Sequence, residues 1–308
     1  MRTLLLSAAR ETKAAIPPST RRGRIVGVFF ALCSVALFTS FVLVSKAGLR
    51  SALAPLDLLA VRYVVASVFM FPVFLRFGLL GLSIRQALAL TLTGGLGFAA
   101  FAYSGFSLAP ASHGSSLIHG TLPLTTLLIS WVCFSERGGN ARIYGALIIT
   151  IGIALLLAES LGSIQAAQLV GDGYLLTASF CWSAYGLLAH RFGVRAIPAA
   201  ALVAVLSAVV FLPGYFLSGI TMLFEADIRD VIWQGLFQGF GIGVVSLTIY
   251  TTAVAKLGAE SVALYAAATP AATTILSIPL LGEQPTYLTC LGVLFVTMGI
   301  VVSAYRRS

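Results

Sequence analysis

Charged side chains are scarce in this sequence. Asp, Glu, Lys and Arg make up 9% of its 308 residues, whereas a soluble domain carries roughly 25%. The 19 basic and 10 acidic side chains cannot cover a water-exposed surface of this size. The composition therefore excludes an ordinary soluble enzyme, a disordered chain and a free nucleic-acid-binding protein.

Cysteine is also rare, and the motifs of common enzyme sites are missing. No two cysteines have the CxxC spacing of a zinc site or redox pair, so we interpret all four as small apolar packing residues: Cys33, Cys133, Cys181 and Cys290. The chain lacks a GxxxxGK(S/T) motif for ATP, an HExxH zinc motif and the Gly-x-Ser-x-Gly elbow of a serine hydrolase. We therefore expect no metal, no cofactor and no enzymatic activity.

Hydrophobic residues, in contrast, make up 59% of the chain. They form ten stretches, each near the roughly 20 residues that a helix needs to cross a bilayer. Backbone groups in lipid must be paired internally, so we predict helices rather than strands. The predicted spans are Ile25–Val44, Leu56–Leu75, Gln86–Leu108, Gly114–Phe134, Ile143–Ala158, Gly173–Ala189, Pro198–Leu217, Val231–Ala255, Ser261–Leu281 and Thr286–Ala304.

Lysine and arginine are distributed unevenly between the connections. With a cytoplasmic N-terminus, 15 of the 19 lie in cytoplasmic segments, 3 lie in outer segments and Arg62 lies inside a span. By the positive-inside rule, both termini are predicted to be cytoplasmic. Residues 1–24 are interpreted as a basic cytoplasmic tail, because the apolar run Leu4–Leu6 is too short for the core of a cleaved signal peptide.

The second half of the chain resembles the first when the sequence is shifted along itself so that Tyr103 falls on Tyr250. At this shift, which we call the repeat shift, identical residues coincide without a gap: Pro123 and Pro270, Thr126 and Thr273, Ser130 and Ser277, Glu136 and Glu283, Gly145 and Gly292, Gly152 and Gly299. At a slightly smaller shift, Gly27 coincides with Gly171 and Phe38 with Trp182. Residues 25–158 and 171–305 are therefore predicted to be two copies of one five-helix unit.

Five spans per copy is an odd number, so the second copy must enter the membrane from the opposite face. Glu136 is then expected on the cytoplasmic side and Glu283 on the outer side. We predict an all-α integral membrane protein whose ten transmembrane helices form two inverted five-helix repeats. This arrangement is typical of secondary transporters, which bind substrate near the bilayer midplane.

Several of these residues resemble the EamA family of the drug/metabolite transporter superfamily. They are the aromatic late in the first helix of each half, Pro55 with Arg62 in helix 2, and the endings Pro123 to Glu136 and Pro270 to Glu283. Within the family, the chain is most similar to the bacterial aromatic amino-acid exporter type. The resemblance implies a pseudo-symmetric basket whose central cavity is lined by helices 1, 3, 4, 6, 8 and 9.

Candidate substrate-binding residues come from polar and aromatic positions on these helices. Helix 4 carries a polar stripe at helical spacing, comprising Ser112, Ser116, His119, Pro123, Thr126 and Ser130. Small-residue helix packing is the alternative interpretation of this stripe, and an interfacial aromatic belt is that of the tyrosines. The predicted set is His119, Ser115, Ser116, Tyr103, Tyr250, Trp182, Tyr185, Tyr265, Phe38, Phe41, Gln238, Ser246 and Thr269.

Two features concern shape and charge inside the bundle. Pro123 and Pro270 are predicted to kink helices 4 and 9, either for gating or only to shape the bundle. Arg62 either holds a carboxylate, or snorkels or pairs with Asp57 at the outer interface. Acidic residues are nearly absent from the predicted spans, so no carboxylate-based ion site is visible, and proton coupling through His119 remains open.

The functional prediction is a secondary transporter of the bacterial inner membrane, exporting amino acids, aromatic ones among them, or similar small metabolites by alternating access. The alternatives are a nucleotide-sugar or other metabolite or drug transporter of the same superfamily, and a channel or membrane scaffold. Sugar nucleotides require cations for phosphate, and few lie near the spans. The expected partners are a small-molecule substrate and the lipid bilayer, without nucleic acid, for a monomer or homodimer.

Overall fold

The computed structural model describes residues 21–51, 53–135, 139–162 and 166–304. These residues are helical with short connections, and no strand occurs among them. Most of the predicted basic tail, residues 1–20, and Glu136 lie outside the described residues.

Helices account for most of the described chain, and we number them in chain order. Four of them contain a π-helical turn or a short interruption but continue in the same direction. The helices are α1 (Arg21–Leu49), α2 (Pro55–Phe77), α3 (Ile84–Leu108), α4 (Ala111–Phe134), α5 (Asn140–Gly162), α6 (Ala166–Arg191), α7 (Ala196–Leu217), α8 (Ile228–Leu257), α9 (Ala259–Ala266 and Thr269–Leu281) and α10 (Tyr287–Ala304).

Nine of the helices in the described part of the chain are long and apolar enough to cross a membrane. Helix α6 is not among the nine, because Tyr, Trp, Ser and His interrupt its apolar residues. The number of ten membrane spans therefore stays a prediction. Helices α5 and α6 also extend beyond the predicted stretches, past Glu159 at one end and Asp172 at the other.

Local sequence explains where several helices begin and end. Helix α3 begins with a capping box, in which the Gln86 amide N–H donates to Ser83 Oγ at 3.3 Å and the Ser83 amide N–H donates to Gln86 Oε1 at 2.9 Å. Helix α4 ends at Ser135 and α9 at Gly282, both left-handed, with φ of 55° and 65°. Ser135 and Gly282 coincide at the repeat shift, so the two copies end these helices in the same way.

Helix pairing follows a regular scheme. Helix α5 packs on α10, α2 on α7, α1 on α8 and α3 on α6. Helix α1 also contacts α9, as α6 contacts α4. If every helix is replaced by its counterpart in the other half of the chain, α1 by α6, α2 by α7 and so on, the same pairs result.

Glycines set the closest of these contacts, between α5 and α10. A Cβ at Gly145 would lie 2.6 Å from the Gly299 carbonyl oxygen, and a Cβ at Gly299 would lie 2.7 Å from that of Gly145. Gly152 and Gly292 face each other in the same way, at 2.8 and 3.1 Å. The two backbones therefore touch at two levels, which any larger side chain would prevent.

Irregular turns occur at matching places in α3 and α8. Helix α3 contains a π-helical segment at Leu92–Gly97, and α8 contains one at Gly235–Val245. The repeat shift places the first segment inside the second. Because π-helical turns are rare and often occur at functional sites, these two segments are candidate functional positions in both copies.

Asp57 ties the start of α2 to the connection between α7 and α8. Its side chain is fully buried and accepts from the Ala54 amide at 2.7 Å, the Met222 amide at 3.2 Å and the Tyr215 hydroxyl. The predicted pairing of Asp57 with Arg62 is wrong, because capping and bridging occupy this carboxylate, and Arg62 bonds to Tyr103 instead.

Replacing Asp57 with alanine is expected to destabilise the fold strongly. The amides of Ala54 and Met222 lose their acceptor, while the Tyr215 hydroxyl keeps Thr221 Oγ1 as a partner. An unsatisfied buried group costs about 1–3 kcal/mol. Thermal unfolding in detergent measures the effect. Asp230→Ala is the matched control, because Asp230 is exposed in the first turn of α8. Equal melting temperatures for Asp57→Ala and the parent would contradict this account of Asp57.

A candidate transport site at the centre of the bundle

The bundle has two ends, which we name after Glu283 and Arg195. At the Glu283 end, where α1 and α9 finish, the Arg50 guanidinium donates to the Leu281 carbonyl. At the Arg195 end, the Arg191 guanidinium lies 3.4 Å from the centre of the Phe134 ring, and Gly27 of α1 approaches Lys256 of α8. The sequence predicts the Arg195 end to be cytoplasmic, and this orientation stays a prediction.

Between the two ends, four predicted site residues form a central cluster around His119. The His119 ring stacks on Phe38 with centroids 5.3 Å apart and meets Phe41 edge-on at 6.4 Å. Phe38 in turn lies 6.1 Å from Tyr250. The cluster, comprising Phe38, Phe41, His119 and Tyr250, therefore joins α1, α4 and α8.

The other half of the chain contributes a second aromatic group. Trp182 of α6 lies 4.8 Å from Phe98 of α3 and 5.3 Å from Tyr185, measured between ring centroids. Tyr185 packs directly over Gly94, which lies inside the π-helical segment of α3. In the alignment that places Gly27 on Gly171, Trp182 and Tyr185 are the counterparts of Phe38 and Phe41.

Arg62 belongs to a buried polar network on the Glu283 side of the central cluster. Its guanidinium donates to the Tyr103 hydroxyl at 3.2 Å and lies 5.8 Å from the centre of the Phe41 ring. The Tyr103 hydroxyl donates to Gln238 Oε1 at 3.2 Å, and Gln238 Nε2 donates to Ser45 Oγ at 2.9 Å. The network links α1, α2, α3 and α8, and it combines three residues that the sequence suggested separately.

The remaining predicted residues differ in their surroundings. Ser115, Ser116 and Thr269 are buried, and their hydroxyls have no hydrogen-bond partner among the described residues. Ser246 donates to the Ile242 carbonyl of its own helix at 2.6 Å. Tyr265 packs against the same buried residues as Tyr250, namely Ala31, Ala253 and Val262.

Pro123 and Pro270 lie beside interruptions of their helices rather than inside continuous ones. In α4, π-helical turns at Ser116–Gly120 and a turn at Thr121 precede a new segment, Leu122–Phe134, with Pro123 in its first turn. Pro270 occupies the same position in the segment Thr269–Leu281 of α9. Amide groups in the first turn of a helix have no carbonyl partner within that helix. Neither proline therefore removes a helical hydrogen bond.

Burial differs between corresponding parts of α4 and α9. Every residue from Ala111 to Ile118 of α4 is buried. In the counterpart of α9, Ser261, Ala263 and Tyr265 are half-buried and Leu264 is exposed. The bundle is thus packed more closely on the Glu283 side of its centre than on the Arg195 side.

A charged clasp joins the helix ends at the Glu283 end. Lys46 of α1 donates to the carbonyl oxygens of Phe106 at 3.0 Å and Ala109 at 2.6 Å, at the end of α3. The Glu283 carboxylate accepts from the Ala111 amide at 3.0 Å, at the start of α4, and lies 3.9 Å from Lys46 Nζ and 3.8 Å from Arg50. Both charges complement the dipole of the helix end that they contact, and the Lys46 side chain is only 11% exposed.

A second polar cluster was missed at the sequence level. His113 of α4 lies 2.9 Å from Asp172 of α6 and 3.6 Å from Glu159 of α5. Acidic residues were expected to be nearly absent from the spans, but Glu159 and Asp172 lie inside α5 and α6. Glu159 and Asp172 had been placed in the connection between the predicted helices 5 and 6. The sequence signal that could have revealed the cluster is this pair of acids, together with a histidine near the start of helix 4.

Two cavities flank the central cluster rather than contain it. A cleft of about 280 Å³ lies at the Glu283 end, lined by Lys46, Arg50, Leu108, Ala109, Pro110, Ser112, Glu159, Gln168, Glu283, Gln284, Pro285 and Thr289. An apolar groove of about 650 Å³ lies near the Arg195 end between α2, α7 and α8. Among the described residues, His, Cys, Asp and Glu form no group of three that could hold a metal ion.

Comparison with known proteins identifies the family. The profile of the EamA-like transporter family matches residues 25–158 and, a second time, residues 169–305. The uncharacterized transporter YyaM of Bacillus subtilis (strain 168) is 24% identical over 225 residues, which are 70% of this chain and 72% of YyaM. A crystal structure of another protein has the same fold, with a TM-score of 0.59 and 19% identity over 90% of this chain and 96% of that one. The chain is a multi-pass membrane transporter and belongs to the EamA-like transporter family.

Proposed function

We propose that this transporter works by alternating access, exporting amino acids, aromatic ones among them, or similar small metabolites. The observation that carries the mechanism is the reciprocal glycine contact between α5 and α10. Gly145 faces Gly299, and Gly292 faces Gly152. At the repeat shift, Gly145 corresponds to Gly292 and Gly152 corresponds to Gly299. The first glycine pair is therefore the counterpart of the second.

A contact with this property has a two-fold axis through it, and the two helices run in opposite directions. The helix pairing scheme, the matching π-helical segments and the matching helix ends at Ser135 and Gly282 support the same relation for the whole bundle. We therefore propose ten transmembrane helices in two inverted units, residues 25–158 and 171–305. Two such units can exchange conformations, which gives a state open to each side at similar energy.

The unequal burial of α4 and α9 supports a specific state for this structure. Close packing and the Lys46–Glu283 clasp belong to the Glu283 end, while the α9 counterpart at the other end is half-exposed. We propose that the structure represents the state closed at the Glu283 end. With 15 of 19 basic residues assigned to the cytoplasmic side, this state opens toward the cytoplasm of a bacterial inner membrane, where substrate for export would enter.

The substrate class follows from the central lining. Phe38, Phe41, Trp182 and Tyr250 offer ring faces on which a planar side chain can stack. The His119 imidazole and the hydroxyls of Ser115 and Ser116 supply polar partners. Arg62 is the cation nearest this cluster in the described contacts, and it is shared between Tyr103 and Phe41. Such a lining favours an aromatic or amphipathic solute over a diphosphate, which needs several cations.

Counterflow into proteoliposomes tests this proposal. Vesicles containing the purified protein are loaded with one unlabelled amino acid, and uptake of labelled aromatic, aliphatic and charged amino acids is measured against protein-free vesicles. We expect saturable counterflow of aromatic amino acids with mutual competition. Transport of a sugar nucleotide without any amino acid would overturn the substrate class, and conduction without counterflow would overturn the carrier mechanism.

A further inference from the structure

Three ionisable side chains from three different helices meet near the Glu283 end. His113 of α4 and Asp172 of α6 have fully buried side chains, and that of Glu159 of α5 is 15% exposed. Burial of two carboxylates is costly unless each has a partner. None of the three residues belongs to the central cluster.

One nitrogen atom of this group has no hydrogen-bond partner among the described residues. His113 Nδ1 lies 2.9 Å from Asp172 Oδ1, so the Nδ1–H group donates a hydrogen bond to an ionised Asp172. The other Asp172 oxygen accepts from the Ser160 hydroxyl, and Glu159 accepts from the Thr289 hydroxyl of α10. His113 Nε2 is buried without a hydrogen-bond partner among the described residues, and it points at Glu159 Oε2 from 3.6 Å.

Other charges around α4 are already engaged with one another. Around this part of α4, the ionisable side chains of the described residues nearby are Lys46 on α1, Arg50 just after α1, Tyr103 on α3, Glu159 on α5, Asp172 on α6 and Glu283 just after α9. Lys46, Arg50 and Glu283 form the clasp, and Tyr103 bonds to Gln238. The two carboxylates beside His113 therefore exceed the positive charge available to them.

Glu159 connects this buried group with the cleft at the Glu283 end. It lines the cleft together with Lys46, Gln168 and Glu283. Water in the cleft can therefore reach one side of Glu159 while His113 faces the other.

We propose that His113, Glu159 and Asp172 form a proton-binding site supplied from the cleft, and that the bound proton holds the Glu283 end closed. A hydronium ion in the cleft gives its proton to Glu159, which passes it to His113 Nε2. The products are water, an ionised Glu159 and an imidazolium that donates to both carboxylates. The proposal rests on the alternating-access function above, and it assigns proton sensitivity to His113 rather than to His119.

The sign of the effect follows from the charges. With the proton bound, one imidazolium attracts a carboxylate on α5 and another on α6, which ties α4 to both helices. Without it, two carboxylates face a neutral ring, and the contact weakens. Linkage of one proton to the closed state predicts up to a tenfold change in the ratio of closed to open protein per pH unit.

Thiol labelling tests this without any knowledge of the substrate. In a variant lacking the four native cysteines, Ala109→Cys supplies a buried reporter in the cleft, and Gln284→Cys supplies an exposed one. Both are labelled with a membrane-impermeant maleimide in proteoliposomes between pH 5 and pH 9. Dividing the first rate by the second removes the intrinsic pH dependence of thiol reactivity.

We expect the rate ratio to rise about tenfold or more from low to high pH. His113→Gln should make it independent of pH, while His119→Gln and the exposed His190→Gln should preserve the rise. Glu159→Gln, at a less buried position, should flatten the profile even if His113→Gln fails to fold. A flat profile in the parent, or an unchanged profile in Glu159→Gln or in folded His113→Gln, would overturn the proposal. Either result would leave amino-acid counterflow, and so the proposed function, unaffected.

Discussion

Replacing Gly145 and Gly299 together with alanine is expected to lower the thermal stability of the protein strongly. The new Cβ atoms would lie 2.6 Å and 2.7 Å from the opposite carbonyl oxygens. A helix backbone cannot yield as a side chain can, so the two helices must separate. Overpacking of this kind costs about 1–3 kcal/mol, and melting temperatures in detergent measure the loss.

Gly186→Ala is the matched control for this experiment. Gly186 lies inside α6, and a Cβ there would meet nothing within 4 Å, so alanine should be neutral or stabilising by up to about 1 kcal/mol. The exchange-related pair Gly152→Ala and Gly292→Ala should lose stability as the first pair does. Unchanged melting of both glycine pairs would show that α5 and α10 do not touch in this way.

Transport is expected to fall about tenfold or more in His119→Ala, with expression and folding retained. His119 stacks on Phe38 at 5.3 Å, and its Nδ1 is buried without a partner among the described residues. A substrate at the centre is the natural partner for that atom, and loss of a contact worth about 1.4 kcal/mol lowers affinity tenfold. Initial rates of aromatic amino-acid counterflow provide the measurement.

Two comparisons separate this effect from a general disturbance. His190→Ala, at an exposed position near the Arg195 end, should transport at the parent rate. The shape of the pH profile of His119→Ala should match that of the parent, because the proton site lies at His113. Parent-level transport by well-folded His119→Ala would remove His119 from the substrate site.

The fold was largely predictable because lipid imposes a simple rule on sequence. Apolar stretches of about 20 residues located the nine helices of the described chain that can cross a membrane. The internal repeat also singled out the glycines Gly145, Gly152, Gly292 and Gly299 before any contact between them was known. Helix α6 was harder, since its polar and aromatic residues weaken the apolar signal.

The polar sites were far less predictable, because they depend on how helices rotate against one another. His113 and Asp172 are 59 residues apart, and Lys46 and Glu283 lie in opposite halves of the chain. Pairing of Arg62 with Asp57 on the same helix was one expectation. Instead, Arg62 donates to Tyr103 of α3 and Asp57 accepts from Tyr215 of α7. Glu159 and Asp172 fell just outside the predicted spans, although the helices α5 and α6 continue past them.

Cysteine labelling from each side of the membrane tests the inverted arrangement most directly. Gly139→Cys occupies an exposed position just before α5, and Gln284→Cys occupies an exposed position shortly after α9. Each is placed alone in a variant without native cysteines. An impermeant thiol reagent is applied to intact cells and to inside-out vesicles. The account predicts that the Gln284→Cys variant reacts in cells and the Gly139→Cys variant only in inside-out vesicles, whereas labelling of both from the same side would contradict it.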